Sequence, residues 1–126
     1  LNKMALPPCY HSFQFIKRNN GLNMIATMRS CDLLIGLPYD ICVFSLFLYL
    51  ISNETGNKPG QLFINIADAH IYKEHAEDVK RYLVLPSYIL PSLIFEGTLK
   101  DFLNETGKIE IKNYIYGPAI KINVKK

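Results

Sequence analysis

An almost unbroken apolar run of eleven residues, 41–51, constrains this sequence most strongly. A helix that crosses a bilayer needs about 20 apolar residues, so this run is too short to cross one. It predicts a helix over residues 40–52 that is apolar on every face. Because a helix of that kind has no polar side to present to water, we place it in the core.

The segments on both sides of this helix alternate between strand and helix patterns. Residues 9–18 and 22–28 indicate two strands joined by a tight turn at Asn19-Asn20-Gly21, because Asn and Gly tolerate the positive φ of such turns. We further predict a loop at 53–60, strands at 61–66, 93–95 and 109–116, and helices at 71–83 and 98–104, the last closed by Gly107. The order β-β-α-β-α-β-α-β favours an α+β fold over a doubly wound sheet.

Length, charge and cysteine usage narrow the classes of protein further. The 126 residues suffice for a single domain, residues 1–126, with a hydrophobic core. A net charge of +3 is too small for an obligate nucleic-acid binder but is compatible with a site for an anionic small molecule. Three cysteines without a C-x-x-C pair predict neither a disulfide framework nor a zinc ribbon. The first residues do not have the pattern of a leader sequence. We therefore expect a cytoplasmic protein with no nucleic-acid or membrane partner.

Two places in the sequence could carry chemistry. Cys9 follows Pro7 and Pro8, a stiff lead-in that restricts a thiol at the start of a strand, although a lone cysteine is more often an inert core residue. Arg29 and Ser30 follow a strand, where a guanidinium and a hydroxyl could bind a phosphate; an exposed pair with no ligand is the alternative.

The spacing of His70, Glu74 and His75 argues against a metal site. Five residues turn a helix by about 500°, which leaves the two imidazoles about 140° apart. One ion cannot easily bind both rings in that arrangement. The acidic residues are scattered, so no paired-carboxylate site is indicated either. We therefore predict no metal.

Several short blocks of the sequence, taken in order, carry a family resemblance. The blocks are Leu6-Pro7-Pro8-Cys9, Gln14-Phe15, Arg29-Ser30-Cys31-Asp32, Gly36-Leu37-Pro38-Tyr39-Asp40, Pro59-Gly60 and Asp68-Ala69-His70-Ile71-Tyr72. Together they resemble the signature blocks of the thymidylate synthase family, which includes the deoxycytidylate (dCMP) hydroxymethylases. Family members are much longer, and this chain resembles their C-terminal catalytic portion. The resemblance implies a mixed sheet packed against helices, without the family's N-terminal part.

The resemblance also implies a one-carbon transfer from the co-substrate 5,10-methylenetetrahydrofolate to C5 of a pyrimidine deoxynucleotide monophosphate. A thiolate that adds to C6 of the ring makes C5 nucleophilic, and Cys9 would be that thiolate. Arg29 would stabilise the thiolate and, with Ser30, bind the phosphate. The residues implied at the nucleotide are Arg29, Ser30, Cys31, Asp32, Asp40, His70, Ile71 and Tyr72, with His70 and Tyr72 at the ribose hydroxyl and Asp32 also at the folate. Two subunits share each site in the family, so the full-length protein is expected to be a homodimer.

Asp40 stands where the uridylate-using members have Asn. An amide matches N3–H and O4 of uracil, whereas a carboxyl that carries or shares a proton accepts from N4 of cytosine and donates toward N3. Asp40 therefore counts as a catalytic residue beside Cys9 and favours dCMP hydroxymethylation over the alternative, conversion of dUMP to dTMP. A second role stays open, the cap of the following helix.

Other departures from the family pattern bear on the product. Tyr10 and Met28 replace the His and Gln that usually adjoin the nucleophile and the Arg-Ser pair, which alters the water network around the base. The sequence ends Val124-Lys125-Lys126, without the small apolar terminus that closes over the folate. A looser closure lets water capture the methylene and favours hydroxymethylation. A further alternative is a remnant that keeps the fold but does not turn over substrate.

Overall fold

The computed structural model describes residues 6–122, so the departure at 124–126 lies outside the described residues. The chain divides into two compact units, Leu1–Ile71 and Tyr72–Lys126, and each is described by itself. The elements are β1 (Tyr10–Arg18), β2 (Gly21–Asp32), α1 (Gly36–Glu54), β3 (Pro59–His70), a 3-10 turn (Lys73–His75), α2 (Ala76–Leu83), β4 (Ser92–Glu96), α3 (Leu99–Leu103) and β5 (Lys108–Lys112). The predicted order and the α+β class are confirmed. The single domain over residues 1–126 stays a prediction.

The first unit is built on a three-stranded mixed sheet with β2 in the middle. β1 is antiparallel to β2, and β3 is parallel to it. Gly21 begins β2 with a φ of +127°, and a Cβ there would lie 2.5 Å from the carbonyl oxygen of Lys58, so the turn requires glycine. Because β2 and β3 are parallel, α1 serves as the crossover between them. β3 is longer than the predicted 61–66, because its polar end stays paired with β2 as far as Asp32.

The core of the first unit lies between β2 and one face of α1. Met24, Ala26 and Met28 of β2 are fully buried, and Phe44 and Leu48 of α1 belong to the same cluster. Burying a side chain of the size of Met or Phe contributes about 1.5–3 kcal/mol. This contact therefore sets the position of α1 on the sheet.

The α1 helix is longer and less buried than the sequence predicts. It begins at Gly36 rather than at residue 40, because Pro38 fits the first helical turn, where no N–H has an intrahelical partner. The face away from the sheet is open, with Tyr39 73% and Val43 58% exposed. The prediction of a helix buried on every face is therefore wrong. One three-stranded sheet covers only a stripe of a helix and leaves its remaining apolar surface uncovered.

The extended length of α1 also bears on the membrane question. Of the helices within residues 6–122, α1 alone is long and apolar enough to cross a membrane, by length and composition only. The core helix of a protein without any membrane contact passes the same test. In the described residues α1 packs one face against β2 and β3.

The second unit begins with an extended residue and a short turn. Tyr72 has a ψ of 140°, and the 3-10 turn Lys73–His75 then leads into α2. The predicted helix over 71–83 therefore starts later than expected, because its first two residues remain extended. A helix needs consecutive residues in the α region to begin, and Tyr72 prevents that.

The remaining elements of the second unit are a strand pair and a one-turn helix. β4 and β5 pair in antiparallel fashion, and α3 lies between them in sequence. Thr98 and Asp101 form a capping box at the start of α3, and the hydrogen bonds from Thr98 lower the pKa of the Asp101 carboxyl. β5 ends at Lys112 rather than at residue 116, because Asn113 takes a positive φ of 58° that breaks the strand.

Candidate functional site

The site begins with the segment that carries Cys9. The backbone N–H of Arg29 donates to the Cys9 carbonyl oxygen at 2.8 Å. The Arg29 side chain donates from Nη2 to the Pro7 carbonyl at 2.8 Å and from Nε to the Pro8 carbonyl at 3.2 Å. Cys9 is a free, exposed cysteine. The guanidinium therefore fixes the two prolines directly before an accessible thiol, and the backbones of Cys9 and Arg29 are paired. A contact between the guanidinium and the Cys9 sulfur stays a prediction.

Cys31 and Asp40 form a second contact at the end of β2. The Cys31 thiol lies 3.5 Å from Asp40 Oδ2 and donates to it. Burial, followed by Asp40, raises the pKa of the Cys31 thiol from 9.0 to about 11, and the charges of Cys9 and Asp32 contribute smaller amounts. Cys31 thus stays a protonated thiol at neutral pH. Cys31 is only 4% exposed, and its thiol contacts the Asp40 carboxyl from within the core.

The predicted cap role of Asp40 is wrong. The helix is capped at Ile35, without a side-chain cap, and Asp40 lies one turn inside it. A Cβ on Gly36 would approach Asp40 Oδ2 to 3.9 Å, so the carboxyl reaches back toward the start of the helix. Its hydrogen-bond partner within residues 6–122 is the Cys31 thiol, and a role of the carboxyl at the nucleotide base stays a prediction.

The Asp32 carboxyl has a structural partner. Its Oδ1 accepts from the backbone N–H of Leu34 at 3.0 Å, which stabilises the turn between β2 and α1. Asp32 therefore orients the backbone that carries Asp40 into position. Its implied contact with folate stays a prediction.

Ser30, Asp68 and His70 form a polar cluster on the paired strands β2 and β3. The Ser30 hydroxyl donates to Asp68 Oδ2 at 3.1 Å, and His70 Nδ1 lies 3.3 Å from the same oxygen. The register places Ser30 opposite Asp68 and Asp32 opposite His70. The sequence analysis did not assign a role to Asp68. The signal in the sequence is the spacing of two residues between Asp68 and His70, which places both on the same face wherever the segment is extended.

The last two predicted site residues stand where the two units meet in sequence. Ile71 ends the first unit and is 44% exposed. Tyr72 opens the second unit, where its ring contacts His75 edge-on at a centroid distance of 5.8 Å. His75 is buried. Within residues 6–122 no three His, Cys, Asp or Glu side chains are grouped so that they could hold a metal ion.

The two unusual residues beside the site are apolar packing residues. Tyr10 contacts the rings of Phe13 and Phe44 at centroid distances of 5.5 Å each. Met28 pairs with Tyr10 across the strands and is completely buried. The Tyr10 ring and the Met28 side chain therefore make hydrophobic contacts at this position.

A cleft in the second unit lies apart from these residues in the sequence. It has a volume of about 620 Å³, and four of its twelve lining residues are tyrosines, namely Tyr82, Tyr88, Tyr114 and Tyr116. None of the predicted site residues lines it. Its size alone assigns it no function.

An exposed cysteine with an arginine fixed on the segment directly before it is an environment in which enzymes with a thiolate nucleophile carry their reactive cysteine. Comparison with known families narrows this class. The thymidylate synthase family model matches residues 1–126. The chain belongs to the thymidylate synthase family, whose members transfer a one-carbon group to C5 of a pyrimidine nucleotide.

Named relatives carry the same description. The chain is 35% identical to a thymidylate synthase of Mycoplasma pneumoniae over 121 residues, which are 96% of this chain and 42% of that protein. It is 38% identical to a thymidylate synthase of Mycoplasma mobile, over 98% of this chain and 43% of that protein. A bifunctional dihydrofolate reductase-thymidylate synthase of Leishmania major is 36% identical over 98% of this chain and 24% of its own length.

Solved structures agree with the fold. A thermostable thymidylate synthase A from Bacillus subtilis matches with a TM-score of 0.85 and 25% identity, over 98% of this chain and 45% of that one. A thymidylate synthase from T4 phage matches with a TM-score of 0.80 and 28% identity, over 98% of this chain and 48% of that one. The chain thus spans less than half the length of the relatives it matches.

Proposed function

We propose that the complete protein converts dUMP to dTMP, with methylenetetrahydrofolate as co-substrate and Cys9 as the covalent nucleophile. The observation that carries the proposal is the exposed Cys9 held next to Arg29 by hydrogen bonds through Pro7, Pro8 and the Cys9 carbonyl. The relatives, which are named thymidylate synthases, support dUMP over the dCMP substrate favoured by Asp40 alone. The folate, when bound, supplies the one-carbon unit and the hydride.

The proposed chemistry assigns a separate task to each part of the site. The Cys9 thiolate forms a bond to C6 of the pyrimidine, and the displaced electron pair makes C5 the nucleophile. Loss of the C5 proton after the new carbon bond forms breaks the bond between the transferred carbon and the folate nitrogen. A hydride from the folate then adds to that carbon, and the shifted electron pair expels the Cys9 thiolate from C6, which yields dTMP and the oxidised folate. Arg29 uses two N–H groups on the Pro7 and Pro8 carbonyls, and a guanidinium has five, so donors remain for a phosphate.

The remaining residues are proposed to position the nucleotide and the folate. Ser30 would join Arg29 at the phosphate, and His70 and Tyr72 would bind the ribose. Asp40 would face the base with Cys31 behind it, at the 3.5 Å contact described above. Asp32 would contact both the folate and the nucleotide, and Ile71 would contact the nucleotide. We also propose that the complete protein is cytoplasmic and forms a homodimer. The molar mass of the complete protein in solution tests the homodimer.

Hydroxymethylation of dCMP is the second candidate, and Asp40 is the observation that favours it. Its carboxyl does not cap α1 and is placed by Cys31. A carboxyl that shares a proton matches N3 and N4 of cytosine, as argued from the sequence. The two candidates differ in substrate and product but use the same thiolate.

Incubation of the complete protein with dUMP or dCMP and methylenetetrahydrofolate tests both candidates. The proposal expects dTMP, detected by mass, whereas hydroxymethyl-dCMP as the main product would establish the second candidate instead. Asp40→Asn should retain or improve dUMP turnover under the proposal. Under the second candidate the same variant should lose dCMP turnover.

The nucleophile is tested separately by trapping. With 5-fluoro-dUMP and the folate, the complete protein should form a covalent adduct on Cys9, and Cys9→Ser should form none. Cys42→Ser is the matched control, because it removes another exposed thiol of the same unit. If the complete protein neither turns over a nucleotide nor forms the adduct, it is a non-catalytic remnant and the proposal is wrong.

A further inference from the structure

The Cys31 thiol has one hydrogen to donate and two oxygen atoms close to it. Its sulfur lies 3.5 Å from Asp40 Oδ2 and 3.6 Å from the backbone carbonyl oxygen of Asp32. Burial, followed by Asp40, raises the pKa of the thiol to about 11, so the hydrogen is present at neutral pH. A hydrogen bond to an ionised acceptor is about twice as strong as one to a neutral acceptor. An ionised Asp40 carboxylate is therefore the stronger of the two acceptors.

The contact with Cys31 turns one oxygen of Asp40 toward the core. Cys31 is 4% exposed, and a Cβ on Gly36 would lie 3.7 Å from its sulfur and 3.9 Å from Asp40 Oδ2. The sulfur, Oδ2 and the backbone at the start of α1 therefore meet in one place. Among residues 6–122 the Cys31 thiol is the one hydrogen-bond partner of the Asp40 carboxyl. Oδ1 is thus the oxygen left to bind a ligand.

We propose that Cys31 is a positioning residue for base recognition, because its thiol holds Asp40 Oδ2 and leaves Oδ1 as the single acceptor for the nucleotide base. The inference rests on the proposed function in one respect, the assignment of Asp40 to the base. One acceptor oxygen is enough for the N3–H of uracil. The N3 and N4 edge of cytosine needs both oxygens, one to accept and one to carry a hydrogen, and Cys31 keeps Oδ2 away from that edge. The contact therefore explains how a chain with Asp at position 40 can prefer dUMP.

Three substitutions separate the hydrogen bond from other effects of the side chain. Cys31→Ala removes the donor, and Cys31→Ser is the conservative variant because a hydroxyl also donates. Cys42→Ala is the matched control, since it removes an exposed thiol on α1. An effect of the hydrogen bond should appear in Cys31→Ala, largely recover in Cys31→Ser and be absent in Cys42→Ala.

The first test needs no activity and observes the thiol itself. Infrared spectroscopy of the complete protein reports the S–H stretching band, whose frequency falls as the hydrogen bond of the thiol strengthens. The band that disappears in Cys31→Ala belongs to Cys31. We expect this band to move to higher frequency in Asp40→Ala, and to move less in Asp40→Asn, because an amide oxygen still accepts. A band that Asp40→Ala leaves unchanged would show that the thiol donates to the Asp32 carbonyl, which overturns the proposal.

The second test compares the dissociation constants of dUMP and dCMP for the complete protein. The preference for dUMP should fall by about two- to fivefold in Cys31→Ala, since one hydrogen bond from a weak donor is lost. In an Asp40→Ala background, Cys31→Ala should leave the preference unchanged, because Cys31 acts through Asp40.

Two outcomes of the binding experiment contradict the proposal. One is a full wild-type preference in Cys31→Ala. The other is an equal loss of preference with and without the Asp40 carboxyl, which would make Cys31 a packing residue only. If the complete protein binds neither nucleotide, the proposed function fails, and the infrared result still decides whether Cys31 holds Asp40.

Discussion

Raising the pH through the range in which the Cys31 thiol ionises should lower the free energy of unfolding. Its side chain is 4% exposed, and burial followed by the contact with Asp40 raises the pKa of the thiol from 9.0 to about 11. Between these two values the unfolded chain loses the Cys31 proton while the folded chain keeps it, so unfolding becomes easier. The contribution of this thiol to stability is complete below about pH 9 and is lost as the pH rises through about 11.

The size of the effect follows from the shift. Two pKa units at about 1.36 kcal/mol each correspond to about 2–3 kcal/mol in the free energy of unfolding. The assay is urea denaturation at a series of pH values across this range. Stability of the wild type should fall by that amount more than stability of Cys31→Ala, because the variant has no proton to lose there.

Two further variants sharpen the test. Cys42→Ala removes an exposed thiol of the same unit and serves as the matched control. Asp40→Asn removes the acceptor charge, so it should reduce the extra loss without abolishing it, since burial is the largest cause of the shift. Parallel pH profiles for the wild type and Cys31→Ala would refute the reasoning.

Three other predictions concern the elements that hold the site. Arg29→Lys removes the two hydrogen bonds to the Pro7 and Pro8 carbonyls, because the single nitrogen of an ammonium cannot occupy the positions of two separate guanidinium nitrogens. Hydrogen exchange of the backbone amide at position 29 should then accelerate about tenfold, and an unchanged exchange rate would contradict this prediction. Gly60→Ala places a Cβ against the Asn23 side-chain oxygen and should lower the free energy of unfolding by about 1–3 kcal/mol. Gly36→Ala is the control and should not lower it, because a Cβ there would meet its neighbours only at ordinary van der Waals distances. Phe44→Ala, at a residue 1% exposed, should cost about 3–5 kcal/mol in urea denaturation, and a loss below about 1 kcal/mol would show that α1 does not depend on this contact.

Much of the local structure is readable without coordinates. The hairpin turn at Asn19-Asn20-Gly21 is predicted from residues that tolerate positive φ, and the structure has the turn there, with Gly21 at +127°. The alternation of strand and helix patterns likewise predicts the observed order of elements. These signals are local, because each depends on residues that are neighbours in the chain.

Two of the errors share one cause, which is dependence on a distant partner. Whether Val43 is buried depends on how much of α1 the sheet covers, and composition does not contain that information. The polar end of β3 stays a strand because β2 pairs with it as far as His70. A capping role for Asp40 was a reasonable local prediction, but the helix starts four residues earlier.

For the candidate site, the sequence by itself determined which chemical groups are present: a thiol after two prolines, an Arg-Ser pair, and an Asp-x-His pattern. Only the tertiary structure decided which of them meet. The parallel pairing of β2 with β3 puts Asp68 beside Ser30, and the turn after Asp32 brings Asp40 onto Cys31. The physical reason is that hydrogen bonds and desolvation act through space, between residues that lie 38 and nine positions apart in the chain.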